Sequence, residues 1–311
     1  MTTSSFKAFV NKRNALIALC ICAVGFFLYS SNGHSSGAFG SARILFVGDM
    51  MFDRTLRSLA DSKGYDAIFS CAADYLKEFD VVVGNLEGPI TTYPSLSAGT
   101  KPGEQGNTSF TFHPDVAQTL SRHNIGIVSI GNNHILDFGR EGLAMTQKYL
   151  SESNISYFGS PIGDISIVKK IGDKKIAFVA FNQFLGQNDP QKTIDAIWKM
   201  RREADFVVVY AHWGEEYVEV TEYMKSVAHR FIDSGADLIL GSHPHVIQEH
   251  EIYSDKHIYY SLGNFVFDQY WTSEVRTGLG VELALQGKEI LLTEQAFDIQ
   301  RNGQTCLISS K

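Results

Sequence analysis

The chain has 311 residues, of which 44% are hydrophobic and 20% are charged, and its formal net charge is −7. This composition is typical of a globular protein with a sizeable core, and it excludes a largely disordered chain. Nucleic-acid binding is not expected, because the chain carries no cluster of lysine and arginine after residue 42 and such binding depends on neutralising phosphates.

The first 42 residues differ from the rest. Residues 1–14 carry Lys7, Lys12 and Arg13 and are expected to be cytoplasmic, ahead of an apolar segment at 15–31. Its apolar run, ALIALCICAVGFFLY, has about 15 residues, between a signal-peptide core and a short membrane anchor in length. We favour an uncleaved single-pass anchor in the cell membrane, with the C-terminal domain exported to the periplasm or the cell exterior. Secretion after signal cleavage is the alternative.

A Ser/Gly-rich linker at 32–42 precedes one predicted domain at 43–311, in which strand-like and helix-like runs alternate. This alternation predicts βαβ units and a largely parallel sheet. Buried strands are predicted at 44–47, 81–83, 127–130, 206–210 and 238–240. Helices are predicted at about 53–63, 69–78, 113–123, 139–152, 191–203 and 221–234, with a long loop at 91–108. After residue 248 the pattern predicts antiparallel strands, with turns at 254–256 and 286–288.

Two cysteines, Cys71 and Cys306, follow the apolar segment. They form a disulfide if the domain folds in an oxidising compartment, or they are two small buried apolar side chains. The sequence leaves both alternatives open.

A short polar cluster follows each of the five predicted buried strands. The clusters are Val47-Gly48-Asp49, Val83-Gly84-Asn85-Leu86-Glu87, Ile130-Gly131-Asn132-Asn133-His134, Tyr210-Ala211-His212-Trp213 and Leu240-Gly241-Ser242-His243-Pro244-His245. In open α/β sheets, ligands bind beyond the carboxyl ends of the strands, so these clusters are expected to form one site. Their side chains are of the types that bind divalent metals.

Each cluster by itself also has an ordinary structural explanation, such as a helix cap or a turn. Five such clusters at successive strand ends instead favour a hydrolytic site with one or two metals, which activates water. In this site His134 is a candidate acid or electrostatic stabiliser, and Asp137 is expected to hold its ring in one tautomer.

Six motifs carry a close resemblance to a known family. They are GDMMFDR (48–54), GNLEGPIT (84–91), GNNHILDFG (131–139), AHWGEEY (211–217), GSHPHVIQ (241–248) and YSLGNFVFDQ (260–269). In order and content they resemble the CapA-type capsule biosynthesis proteins, the poly-γ-glutamate synthesis family, itself similar to the calcineurin-like metallophosphoesterases. The resemblance implies an α/β fold built as a four-layer α/β/β/α sandwich, here preceded by an N-terminal apolar helix.

The resemblance also implies a divalent metal cofactor, either Mn, Zn or Fe, and a set of site residues. The implied metal ligands are Asp49, Glu87, Asn133, His212, His243 and His245. His134 corresponds to the catalytic histidine of the phosphoesterases, with Asp137 beside it. Two departures weaken the first metal position. Asp49-Met50-Met51 lacks the expected histidine, and Gly84-Asn85-Leu86-Glu87 places an amide or a shifted carboxylate where a bridging aspartate is expected. One complete metal position and one incomplete position are therefore expected, the gap being filled by Asn85, Glu87 or water.

The implied function is the synthesis, anchoring or export of an anionic extracellular polymer at the membrane. The preferred hypothesis is a metal-dependent hydrolase or transferase acting on an amide or phosphoester bond. The alternative is a non-catalytic subunit that binds the polymer or organises a membrane synthase complex. A third hypothesis, a phosphoesterase acting on small phosphate esters, fits an anchored protein less well.

Overall fold

The computed structural model of the chain describes residues 41–186, 188–287 and 289–309. The predicted segments at 1–14 and 15–31, and the linker as far as residue 40, lie outside the described residues. Within the described ranges, no helix combines the length and apolarity that a membrane span requires. The first strand begins at Ser41, two residues before the predicted start of the domain.

Eight strands form the first sheet, which is mixed. They are β1 Ser41–Met50, β2 Val81–Leu86, β3 Ile125–Ser129, β4 Ser156–Phe158, β11 Asn264–Val266, β12 Thr277–Gln286, β13 Glu289–Ile299 and β14 Thr305–Leu307. The order is β14-β13-β12-β1-β2-β3-β4, and β11 pairs with the end of β1. β1 to β4 are parallel, whereas β12 to β14 run antiparallel. Because β12 leaves β1 at Phe46, β11 pairs instead with Asp49 and Met50.

Six strands form the second sheet. They are β5 Ser166–Ile171, β6 Lys174–Asn182, β7 Phe206–His212, β8 Leu238–Ser242, β9 His250–Tyr253 and β10 Lys256–Tyr259. The order is β5-β6-β7-β8-β10-β9, with a parallel centre and one antiparallel strand at each edge. The carboxyl ends of β6, β7 and β8 therefore share one edge of this sheet.

Helices cover the outer face of each sheet. They are α1 Arg54–Lys63, α2 Asp66–Phe69, α3 Ala73–Leu76, α4 Asp115–Arg122, α5 Gly139–Glu152, α6 Pro190–Met200 and α7 Glu222–Asp233, with a 3-10 helix at Glu274–Arg276. Side chains alternate along each strand: Ile44 and Phe46 pack between the two sheets, whereas Leu45 and Val47 pack against α1 to α5. A third hydrophobic cluster joins the second sheet to α6 and α7. The layers therefore run helix, sheet, sheet, helix.

Most elements match the sequence-based expectation, and three differences stand out. The helix expected at 69–78 is two short helices, α2 and α3. Strands β4, β5 and β6 were not predicted. The C-terminal region does form the two expected hairpins, but β10 and β11 also pair in parallel with β8 and β1.

Cys71 and Cys306 form a disulfide, with Cα atoms 4.7 Å apart. The bonded alternative is therefore the one that the structure contains. The bond joins the segment between α2 and α3 to the last strand, β14.

Candidate metal centre

The carboxyl ends of strands from both sheets meet at one buried site. Asp49 and Glu87 come from β1 and from the end of β2, His212 ends β7, and His243 and His245 follow β8. All five side chains are buried. Ligand atoms of Glu87, His243 and His245 lie within 4.8 Å of one another, as do those of Asp49, Glu87 and His212. Glu87 belongs to both groups, so it is placed to bridge two positions.

Asn85 holds the two carboxylates in place. Its amide nitrogen donates to Oδ1 of Asp49 at 2.8 Å and to Oε2 of Glu87 at 3.2 Å. Its carbonyl oxygen accepts from the amide of Asn132 at 3.0 Å. With its nitrogen facing the carboxylates, Asn85 positions both of them. Whether Asn85, Glu87 or water fills the gap stays a prediction.

His245 contacts both carboxylates and also Asn264, a residue that the sequence analysis did not place at the site. Its Nδ1 lies 3.3 Å from Oδ2 of Asp49, and its Nε2 lies 3.6 Å from Oε1 of Glu87. Nδ1 is also 2.9 Å from Oδ1 of Asn264, at the start of β11. From the residues alone, the YSLGNFVFDQ segment indicates only a turn and a strand, so Asn264 was not expected at the site.

His212 faces Asn133, as predicted for a shared site. Nε2 of His212 lies 2.8 Å from Oδ1 of Asn133. Its Nδ1 lies 3.0 Å from the hydroxyl oxygen of Ser242 and 3.3 Å from the amide nitrogen of Asn85. These contacts hold the ring between Asn133 and the residues around the carboxylates.

The loop after β8 turns both of its imidazoles toward the site. His243 has a φ of 95° and His245 a φ of 59°, on either side of Pro244. Such values are strained for residues with a Cβ, and strain of this kind concentrates at functional sites. The backbone nitrogen of His243 donates to Oδ2 of Asp49 at 3.0 Å, which fixes the loop against β1.

Burial and neighbouring charges shift the pKa values of the ligand side chains in different directions. It raises the pKa of Glu87 well above its usual range, and the charge of Asp49 raises it further. Burial also raises the pKa of Asp49, but the hydrogen bond and charge interaction with His245 outweigh this effect and hold that pKa below its usual range. Burial lowers the pKa of His243 to about 4 and that of His212 well below its usual value, and neighbouring histidines add to both shifts. At neutral pH, Asp49 is therefore ionised and both histidines are neutral.

Two buried atoms show that the site suits a divalent cation. Within the described residues, Oε1 of Glu87 and Nδ1 of His243 are buried without a hydrogen-bond partner. Unpaired buried polar atoms are rare and are satisfied by a bound ion or an ordered water. Carboxylate, imidazole and amide donors together match Zn, Mn or Fe. The residues therefore fit the metal that the sequence predicted.

His134 and Asp137 lie beside the ligand groups and belong to neither. Nδ1 of His134 is 2.9 Å from Oδ2 of Asp137, which also accepts from the backbone nitrogen of Phe110 at 2.8 Å. The ring of Phe110 packs on His134 with centroids 4.3 Å apart. With Nδ1 donating to Asp137, the ring presents Nε2 as its free nitrogen. The geometry matches the orienting role predicted for Asp137.

Arg54 is a further residue that the strand-end analysis missed, although it ends the GDMMFDR motif. It forms a salt bridge with Asp268, and its guanidinium lies 5.1 Å from the ring of Phe110 and 5.4 Å from that of Phe267. Phe110 packs on His134 and Phe267 packs on His245. Arg54 therefore braces the aromatic side chains that support two predicted site residues.

Comparison with known proteins places the chain in a family. A family model described as "Bacterial capsule synthesis protein PGA_cap" matches residues 43–269. The chain belongs to the PGA_cap family. It is 32% identical over 246 residues to the PGA biosynthesis protein CapA of Bacillus subtilis (strain 168), and 30% identical over 251 residues to the capsule biosynthesis protein CapA of Bacillus anthracis. Each match covers 73% of this chain. The matches cover 63% of the Bacillus subtilis protein and 60% of the Bacillus anthracis protein, so the chain spans about 60% of their length.

Two solved structures share the fold of this PGA_cap chain. A hypothetical protein from Thermus thermophilus superposes with a TM-score of 0.54 at 17% identity, covering 82% of this chain and 99% of that one. A novel phosphatase from Mycoplasma pneumoniae superposes with a TM-score of 0.53 at 15% identity, covering 85% and 97%. At these identities the likeness shows the fold alone: a mixed α/β, sheet-dominated domain with phosphatase-like neighbours.

The predicted gap in the first metal position of this PGA_cap chain corresponds to Met50 and Met51. Both methionines are fully buried in the cluster between α1 to α5 and the first sheet. The sulfur of Met51 accepts from the backbone nitrogen of Asp53 at 2.9 Å. Neither methionine belongs to a ligand group, whereas Glu87 belongs to both groups.

We expect Asn85→Ala to weaken metal binding by the PGA_cap chain about 10- to 100-fold, because it removes the donor that positions both carboxylates. Equilibrium dialysis against Mn²⁺ and Zn²⁺ measures the loss. Asn302→Ala, in the exposed turn between β13 and β14, is the matched control and should bind normally. Unchanged affinity in Asn85→Ala would show that the carboxylates hold their positions without this amide.

We also expect metal binding at pH values below the pKa of Glu87 to release protons, because burial and the charge of Asp49 raise that pKa and the side chain ligates as a carboxylate. The low pKa values of His212 and His243 mean that these ligands release none. Affinity should therefore rise with pH until the pKa of Glu87 is passed. Calorimetric titration in two buffers of different protonation enthalpy counts the protons, and Glu87→Gln should abolish their release. Proton-free binding to the unaltered chain would contradict this assignment.

Proposed function

We propose that this PGA_cap chain acts in the synthesis, anchoring or export of a capsular, poly-γ-glutamate-like anionic polymer, as a metal-dependent hydrolase or transferase. The observation that carries the proposal is the convergence of two buried ligand groups on Glu87 at the strand ends of both sheets. The names of the two Bacillus relatives, a PGA biosynthesis protein and a capsule biosynthesis protein, support the choice of polymer.

The layer order of the domain supports a metallophosphoesterase-like interpretation of the site. Two sheets packed face to face, with helices outside each, bring the ends of β1 and β2 opposite those of β7 and β8. The proposed ligands are Asp49, Glu87, Asn133, His212, His243 and His245. A divalent ion held by these side chains supplies Lewis acidity and lowers the pKa of a bound water.

The chain's own residues supply the remaining chemistry. Burial of the carboxylates and histidines keeps bulk water from the ligand groups and strengthens the charge interactions inside the site. His134 presents Nε2 because Asp137 holds Nδ1, so in its imidazolium form it is placed to donate the Nε2 proton to a leaving amine or alcohol. The bond cleaved is an amide or a phosphoester of the polymer or of its carrier.

Export of the domain is part of the proposal. The N-terminal basic segment and apolar run are the basis for a single-pass membrane protein with an exported C-terminal domain. The disulfide between Cys71 and Cys306 supports an oxidising compartment, where such bonds persist. In that location the domain meets the membrane and the extracellular polymer.

A second candidate function is a non-catalytic subunit that binds the polymer or organises a membrane synthase complex. The observation in its favour is the first metal position, where Met50 and Met51 are buried in the core and supply no ligand. In this alternative the pocket holds polymer without cleaving a bond.

Complementation separates the two functions. In a polymer-producing strain that lacks its own copy of the chain, the unaltered chain should restore polymer and Asp49→Asn should not, with both proteins present at equal levels in the membrane. Asp49→Asn keeps the size of the side chain and removes the charge that His245 contacts. Restoration of polymer by an Asp49→Asn protein that holds no metal would refute catalysis and favour the binding subunit.

A further inference from the structure

Two grooves are connected to the metal centre by a chain of packed aromatic rings. Ring centroids run in the order Phe184, His243, His245, Tyr217 and Trp271, with successive separations of 4.4, 5.8, 6.1 and 5.6 Å. The residue after Phe184 lines one groove, and Tyr217 and Trp271 line the other. The ring contacts therefore link each groove to the ligand residues His243 and His245.

The first groove, here called the basic groove, has a volume of about 690 Å³. Its lining includes Leu136, Gly139, Arg140, Pro161, Leu185 and Lys192. Leu136 is two residues from His134, so the wall of this groove includes the segment that carries the predicted acid. Arg140 and Lys192 are exposed, and among the described residues neither forms a salt bridge.

The positions of the two cations add to the positive potential of the basic groove. Arg140 lies in the first turn of α5, a helix of 14 residues, and Lys192 lies in the first turn of α6, a helix of 11 residues. Helix N-termini carry partial positive charge and favour anions. Asp189, which also lines the groove, caps α6 by accepting from the nitrogen of Gln191 at 2.9 Å.

The second groove, here called the aromatic groove, has the opposite character. It has a volume of about 630 Å³, and its lining includes Tyr217, Glu219, Ile247, Glu249, Trp271 and Glu274. Its cation, Lys225, is paired with Glu249 at 2.8 Å. A chain of carboxylates placed here meets like charge, which disfavours binding.

We infer that the anionic polymer reaches the metal centre through the basic groove, where Arg140 and Lys192 bind its carboxylates, and that the aromatic groove excludes it. The inference rests on the proposed function, because it takes the polymer as the substrate. The opposite charges of the two grooves orient the substrate. The carboxylate-bearing polymer chain lies in the basic groove, on the side of His134.

Binding of a labelled oligomer tests this assignment. The probe is a fluorescent γ-linked glutamate oligomer of about ten residues, titrated into the purified full chain loaded with Mn²⁺ and followed by anisotropy. Arg140→Glu/Lys192→Glu should weaken binding at least about tenfold, because two attractive contacts become repulsive. The loss should shrink as salt is added.

Lys169→Glu/Lys170→Glu is the matched control, with the same change in net charge. Both lysines are exposed on β5, and they pair with the start of β6. The opposite end of β6, at Asn182, is the end that pairs with His212. This variant should bind within about twofold of the unaltered chain, as expected for charges far from the site. Equal weakening in both variants, or no binding by the unaltered chain, would overturn the inference.

The complementation and binding experiments distinguish a failure of the proposed catalysis from a failure of the groove assignment. Polymer production by a metal-free Asp49→Asn protein refutes catalysis, whereas the groove assignment depends only on the binding series. Trp271→Ala, in the aromatic groove, should leave oligomer affinity within about twofold of normal, because it removes no cation from the polymer's path. Weakening by Trp271→Ala together with normal binding by the Arg140/Lys192 variant would place the polymer on the other side.

Discussion

His243→Ala/His245→Ala should abolish metal retention by the purified chain. The two imidazoles and Glu87 form one ligand group, so their removal leaves a single carboxylate there. The second group also suffers, because His245 contacts Asp49 as well as Glu87. Removing a binding partner from a buried charge is strongly unfavourable, so Asp49 loses the imidazole that stabilises its charged form. Elemental analysis of protein purified without chelator should change from near-stoichiometric Zn, Mn or Fe to background.

His250→Ala/His257→Ala is the matched control for this loss. These two histidines face each other across the hairpin of β9 and β10, with Nε2 of His250 2.8 Å from Nδ1 of His257. They offer the same two side chains on the surface, outside both ligand groups. The control protein should keep its metal. If it loses metal as the His243/His245 variant does, or if that variant keeps its metal, the assignment of the centre is wrong.

Gly241→Ala should unfold or severely destabilise the domain, by about 3 kcal/mol or more. A Cβ at Gly241 would lie 1.8 Å from the carbonyl oxygen of Tyr260 and 2.7 Å from Nε1 of Trp213. Those two atoms are joined by a hydrogen bond of 2.8 Å, and the carbonyl of Gly241 accepts from the nitrogen of Leu262 at 3.0 Å. The backbone of Tyr260 and the fully buried ring of Trp213 leave the methyl group no space, because neither can move aside as a flexible side chain could.

Urea unfolding followed by circular dichroism measures this destabilisation. Gly163→Ala is the control, because its Cβ would meet Ser160 at 3.4 Å and 3.5 Å, an ordinary contact. Any Gly241→Ala protein that remains folded should also hold less metal, since His243 lies two residues beyond the displaced strand position. A fully stable Gly241→Ala protein would show that β8 and the segment at Tyr260 are free to separate.

The strand ends were predictable because the signal is local. A buried apolar run followed by glycine and a polar side chain marks the end of a central strand, and parallel strands share their carboxyl edge. This reasoning located Asp49, Glu87, Asn133, His212, His243 and His245, and the structure brings them together. Their role as metal ligands remains a prediction.

The partners of these residues were not predictable, because they depend on pairings distant in sequence. Asn264 reaches His245 only because β11 pairs with β1, more than 200 residues earlier. Asn182 ends β6, a strand that was not predicted, and donates to the carbonyl of Asn132 at 3.2 Å. The role of Asn85 as a donor also depends on which end of its amide faces the carboxylates. None of these contacts leaves a periodic pattern in the sequence.

The disulfide determines how the domain responds to mechanical tension. Cys71 and Cys306 close a covalent loop of sequence separation 235 that contains every strand except β1 and part of β14. A force applied between Ser41 and Leu307 passes through this bond. The residues between Cys71 and Cys306 therefore bear no tension and add nothing to the extension of the chain. Only the segment from Ser41 to Cys71 extends, by about 100 Å at full stretch. Pulling out β1 removes Asp49 from the centre, while the remaining ligands stay within the closed loop.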